Sequence, residues 1–118
     1  MLFIFSVPAF AKDTKHGCLV IKRNEENGVI NIRKCSVKVD KGKRDITLIG
    51  GQEQKVSLSV GAHTLFVHSR DPFDPYSKDY SWNSDSIIII IRRDKVITVV
   101  ISPKSNSNSY CCGWQINQ

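Results

Sequence analysis

Turn-forming residues punctuate this chain about every ten positions, and the segments between them are short and rich in β-branched residues, a combination that predicts strands throughout. Residues 19–22 and 29–33 flank Glu25-Glu26-Asn27-Gly28, and Asn-Gly between two such runs predicts a hairpin. The second strand continues through residues 35–39 until Lys41-Gly42-Lys43-Arg44 turns it into residues 45–49. Residues 55–60 alternate polar and apolar side chains, meet Gly61-Ala62 and predict a tight hairpin with residues 63–68. Residues 87–92 and 95–101 form a last pair around Arg93-Asp94, and residues 114–116 make one more short strand beyond the polar run 105–109. Seven or eight strands joined mostly by hairpins predict an all-β fold, an antiparallel β-sandwich or small barrel.

The alternation also assigns faces. Val56, Leu58, Leu65 and Val67 fall on one side of the predicted hairpin and form core, while Ser57, Ser59, Thr64, Phe66 and His68 fall on the other. Residues 87–91 are five consecutive isoleucines with no alternation, so the outer face of that strand is apolar and needs a cover. The chain's own loop or tail, a partner or a second copy would provide it, and Ile87, Ile89 and Ile91 become interface candidates. The connection over residues 70–85 is too long for a hairpin and holds Phe73, Tyr76, Tyr80 and Trp82, four of the chain's ten aromatic residues. It reads as a crossover or a functional loop, and its aromatic residues suit apolar or stacking contact with a partner.

The first eleven residues are apolar, end in Ala9-Phe10-Ala11 and pass directly into Lys12-Asp13. They read as the hydrophobic core and cleavage region of a secretory signal peptide whose basic leading part is missing, with one β-domain over residues 12–118. Export places that domain in the periplasm or outside the cell. Beyond residue 11 the longest apolar run has five residues against the ~20 that span a bilayer, so no transmembrane segment is expected.

An oxidising compartment makes Cys18, Cys35, Cys111 and Cys112 disulfide candidates. The predicted first hairpin sets Cys18 across from Cys35, which permits a cross-strand bond; the alternative ties both tail cysteines back to that hairpin. The adjacent Cys111-Cys112 pair lacks the spacing of a zinc knuckle, and no metal or other cofactor is expected.

The net charge is +6, and residues 33–44 alone carry Arg33, Lys34, Lys38, Lys41, Lys43 and Arg44 against one Asp40. Such a patch favours an anionic envelope polymer, anionic headgroups or an acidic protein partner. Nucleic acid is not expected, because no aromatic residue is interleaved with those cations. Catalytic signatures are missing too: His68-Ser69-Arg70-Asp71 lies in an extended segment whose neighbours point apart, and Asp71, Asp74, Asp79 and Asp85 match no calcium loop.

Val56-Ser-Leu-Ser-Val-Gly61-Ala-His-Thr-Leu-Phe-Val67 resembles the hairpin of small bacterial envelope modules known as PEGA-type domains, without their turn proline. The resemblance covers about a dozen residues and implies a β-domain of the bacterial envelope. The sequence therefore predicts an exported, non-enzymatic binding domain. Its alternatives are an inhibitor or immunity protein of a secreted hydrolase, a structural subunit associating through residues 87–91, or an envelope hydrolase acting through His68 and the loop aspartates.

Overall fold

The computed structural model describes residues 15–74, 76, 81–106 and 109–118, and the side chains of all of these except 105, 106 and 109–112. The signal-peptide reading of residues 1–11, Asp79 and Tyr80 thus lie outside the described residues, as do the side chains of Cys111 and Cys112.

The described residues form nine strands: β1 (His16–Arg23), β2 (Cys35–Val39), β3 (Arg44–Leu48), β4 (Glu53–Ser59), β5 (Gly61–Arg70), β6 (Ser81–Asn83), β7 (Ile87–Ile91), β8 (Val96–Asn106) and β9 (Ser109–Asn117). Among the described residues the only helical piece is a 3₁₀ turn at Val29–Ile32. The expected all-β class holds. One layer runs β4-β1-β8-β9, the other β3-β2-β5, with β7 and β6 sharing the far edge of β5. A parallel bridge between Asn83 of β6 and Gly113 of β9 joins the layers into a nearly closed barrel whose path ends at β3 and β4. A Cβ on Gly113 would run into the Asn83 carbonyl, so glycine is what lets the two backbones meet there.

Core side chains alternate along each strand as the pattern predicts. Val56, Leu58, Leu65 and Val67 are buried, and with Leu19, Ile21, Val37, Val39, Val99 and Ile101 they fill the space between the layers. The pairing differs from the sequence reading at three places. β4 and β5 do not form a hairpin: the chain turns at Val60, whose amide bonds the Lys15 carbonyl at 2.8 Å, and crosses from one layer to the other. With that hairpin goes the PEGA-type resemblance. Likewise β7 pairs with β5 and β8 with β1 and β9, so Asp94, at φ 57°, marks a crossing between layers rather than a hairpin tip.

The third difference concerns the cysteines. Residues 29–32 coil into the 3₁₀ turn instead of pairing with β1, because Gly28 at φ 83° redirects the chain toward the opposite layer. Cys18 consequently lies across from Ser57 and Val96, and Cys35 across from Leu48. Both are free thiols, so neither proposed bond to Cys18 or Cys35 forms. The predicted β2–β3 hairpin does form, through Asp40, Lys41 and Gly42, all at positive φ. β8 and β9 extend beyond the predicted strands, with Ser105 pairing with Tyr110 and Asn106 with Ser109.

Candidate functional site

Arg23 ends β1 on the same face as Leu19 and Ile21, and this places a guanidinium between the layers, 1% exposed. Its Nη1 donates to the carbonyls of Arg33 (2.7 Å) and Leu48 (3.0 Å), and its Nη2 to that of Ile30 (2.8 Å). The indole of Trp114 lies 4.5 Å beneath its central carbon, a cation–π contact strengthened by burial. Burial pulls the guanidinium below its ordinary value, opposed by the neighbouring Cys35 and Glu26. Burial likewise pushes the Cys35 thiol up, so that it stays protonated and serves as packing. Among the described residues, the Nε of Arg23 is the one buried side-chain nitrogen or oxygen with no hydrogen-bond partner.

From Trp114 an aromatic column leads outward. Its Nε1 donates to Ser69 Oγ at 2.8 Å, Trp82 meets it edge-on with centroids 5.6 Å apart, and Phe73 meets Trp82 at 5.8 Å. Of the predicted aromatic loop, Trp82 is therefore core, while Phe73 and Tyr76 are exposed.

Beside Phe73 the surface folds inward into a cleft of about 350 Å³ lined by Ile32, Arg33, Lys34, Arg70, Asp71 and Pro72. Three cations and one carboxylate face it. The Nε of Arg33 donates to the Pro72 carbonyl at 3.2 Å, and this pins the start of β2 to the turn after β5. Asp71 is occupied in shaping that turn, its Oδ1 accepting the Phe73 amide at 2.9 Å and its carbonyl the Asp74 amide at 3.1 Å. β2 and β5 are antiparallel and their pairing ends with Ser36 opposite His68; Lys34 and Arg70, two residues beyond that pair on each side, line the cleft at this end.

The other predicted cations lie elsewhere. Lys34 precedes β2 and Lys41 lies in the turn after it, so the five extended residues of the strand, about 16 Å at ~3.3 Å per residue, separate them and the six basic positions do not make one patch. Lys38 is paired with Asp45 at 2.8 Å on the outer face. Lys41 and Lys43 border a second hollow, of about 380 Å³, with Asp40, Ala62, His63 and Thr64. Arg44 is exposed at the start of β3.

At that second hollow His63 is buried. Its Nδ1 lies 2.7 Å from Asp40 Oδ2 and its Nε2 2.7 Å from the Ser59 carbonyl, with Ser59 Oγ at 3.3 Å. Both ring nitrogens face acceptors, the arrangement that an imidazolium satisfies. Burial alone would lower its pKa, but the hydrogen bonds to Asp40 and Ser59 outweigh this and raise it. The hydrogen bond from His63, against a smaller effect of burial, holds the Asp40 carboxyl below its usual range. This pair locks the left-handed turn at Asp40 to β5, where Asp40 Oδ1 also accepts the Thr64 amide.

His68 Nδ1 is 2.6 Å from Asn83 Oδ1, while Asp71 Oδ1 accepts the Phe73 amide of its own turn and Asp85 is exposed. Among the described residues no three His, Cys, Asp or Glu side chains converge as a metal site, and no helix is long and apolar enough to cross a membrane. Of the interface candidates, Ile89 and Ile91 are buried in the core and Ile87 packs against it, because alternation in β7 turns odd-numbered residues inward. The apolar outer face consists of Ile88 and Ile90 instead, with Ile88 67% exposed.

Arg70 and Ile32 were not among the residues singled out by sequence. Arg70 belongs to the same alternating series as Phe66 and His68, and its place beside Lys34 follows once β2 is known to pair with β5. Arg23 gives no such sign, as its sequence context is that of a turn. The chain matches no known protein-family model, no curated protein sequence and no solved structure.

Proposed function

We propose that this chain is an exported, non-enzymatic binding domain of the bacterial envelope, and that it engages an anionic partner at the Arg33–Lys34–Arg70 cleft. The observation that carries this reading is that Arg33, Lys34 and Arg70 line one concave surface just beyond the end of the β2–β5 pairing. An anion seated among these side chains meets three positively charged groups at once. The apolar leader over residues 1–11 supports export, and the net charge of +6 supports a negatively charged partner.

A second reading, a structural subunit that pairs with its own copies through β7, draws on Ile88 and Ile90. Two side chains fall well short of the roughly 800 Å² per partner of a stable interface, so the cleft is the better supported.

Binding to inorganic polyphosphate across a salt series tests the proposal. The expected result is an affinity that falls steeply with salt and drops about tenfold or more in the double variant Arg33→Gln, Arg70→Gln, since two charge-assisted hydrogen-bonding groups are removed together. Binding that ignores salt, or that is lost in a Lys41→Gln, Lys43→Gln variant while the cleft variant binds normally, would overturn it.

A further inference from the structure

We infer that the partner at this cleft is a membrane surface bearing anionic headgroups, an identification that rests on the cleft being the anion site. The cations do not stand in a polar surround. Ile32, which lines the cleft, is 63% exposed; Phe73, next to the Pro72 that receives Arg33, is 54% exposed; and Tyr76, three residues on, is 87% exposed. Val29, one turn before Ile32 in the 3₁₀ segment, is also exposed. The cleft and the two chain segments that lead into and out of it, through Ile32 and through Pro72, therefore carry three cations together with apolar and aromatic side chains that are exposed.

A polyanion in solution makes use of the cations and gains nothing from Ile32 or Tyr76. The boundary between headgroups and acyl chains accommodates both: phosphate groups meet Arg33, Lys34 and Arg70, while apolar side chains beside them sink to the level of the first methylenes. Tyrosine suits that depth, with an apolar ring and a hydroxyl that reaches the headgroup layer. Phe73 is held from behind by Trp82 and Trp114, so it presents a fixed ring rather than one that must be ordered on contact. The Arg33-to-Pro72 hydrogen bond keeps the apolar and cationic parts of the surface in register.

The full chain and a double variant, Ile32→Ser with Tyr76→Ser, are compared by sedimentation with vesicles of phosphatidylcholine with and without phosphatidylglycerol, and in parallel by binding to inorganic polyphosphate. Both proteins carry the same residues 1–14, so their difference reports the cleft, and both positions are exposed enough that near-ultraviolet circular dichroism is expected to be unchanged. The prediction is that added phosphatidylglycerol increases binding of the unaltered chain, and that the variant loses about tenfold or more of that vesicle affinity while its polyphosphate affinity stays within about twofold. Polyphosphate binding without any vesicle binding, or equal vesicle binding by chain and variant, would overturn the membrane assignment and leave the anion site standing. Binding to neither probe would overturn both.

Discussion

Arg23 and Arg33 lie ten residues apart, and both donate to main-chain carbonyls near aromatic rings, yet they use their charge in opposite ways. Arg23 is enclosed between the layers, with three carbonyls and an indole face in place of water. Arg33 gives one hydrogen bond to Pro72 and keeps its charge at the surface of a cleft. The two are also linked, since the carbonyl that Arg23 grips at 2.7 Å is that of Arg33 itself. Burial determines the role: the inner guanidinium fixes the backbone on which the outer one is mounted.

The sharpest way to break this comparison is to remove the inner charge. Arg23→Met leaves the carbonyls of Ile30, Arg33 and Leu48 without their donor, and we expect it to cost about 3 kcal/mol or more in urea unfolding, as losses of buried multi-bonded groups do. A change of midpoint worth less than about 0.5 kcal/mol would mean that the cage is incidental.

A smaller effect is expected at the other end of β2, where His63 and Asp40 pair. The folded pKa of His63 is raised above 6.5, so its contribution is complete below that value and is lost as pH rises through the folded pKa. That of Asp40 is lowered below 3.8, so its contribution is present above that value and is lost as pH falls through the folded pKa. Stability from this pair is therefore greatest in mildly acidic solution. Asp40→Asn is predicted to cost about 1 kcal/mol there and to flatten the decline toward alkaline pH, measured by urea unfolding at a series of pH values. An unchanged pH profile would show that His63 is held neutral.

How far these sites were legible in the sequence follows from what a two-residue period encodes. It tells which side chains share a face, and Val56, Leu58, Leu65 and Val67 are buried as the pattern requires. It does not tell which strand lies alongside. Gly61 and Asp94 carry ordinary hairpin signals, yet the chain uses both to cross between layers, since a closed barrel buries more of β4, β5, β7 and β8 than two separate hairpins would. The cleft depends on that pairing. Lys34 and Arg33 were visible as part of a basic run, but Arg70 joins them only because β5 lies against β2. Arg23 was illegible for a different reason: a lone arginine before Asn24-Glu25-Glu26 reads as solvated, and the indole and carbonyls that receive it come from residues 30–114.

The variant with the smallest predicted change in stability tests the cleft most directly. Lys34→Glu reverses the charge of an exposed side chain of the cleft, a surface change expected to move stability by no more than a few tenths of a kcal/mol. The same substitution puts a carboxylate where the anion is proposed to sit. Urea unfolding and polyphosphate binding measured on this one variant should show stability close to that of the unaltered chain and an affinity reduced by about tenfold or more. A loss of about 1 kcal/mol in stability with binding intact would instead make Lys34 a structural residue and contradict the account.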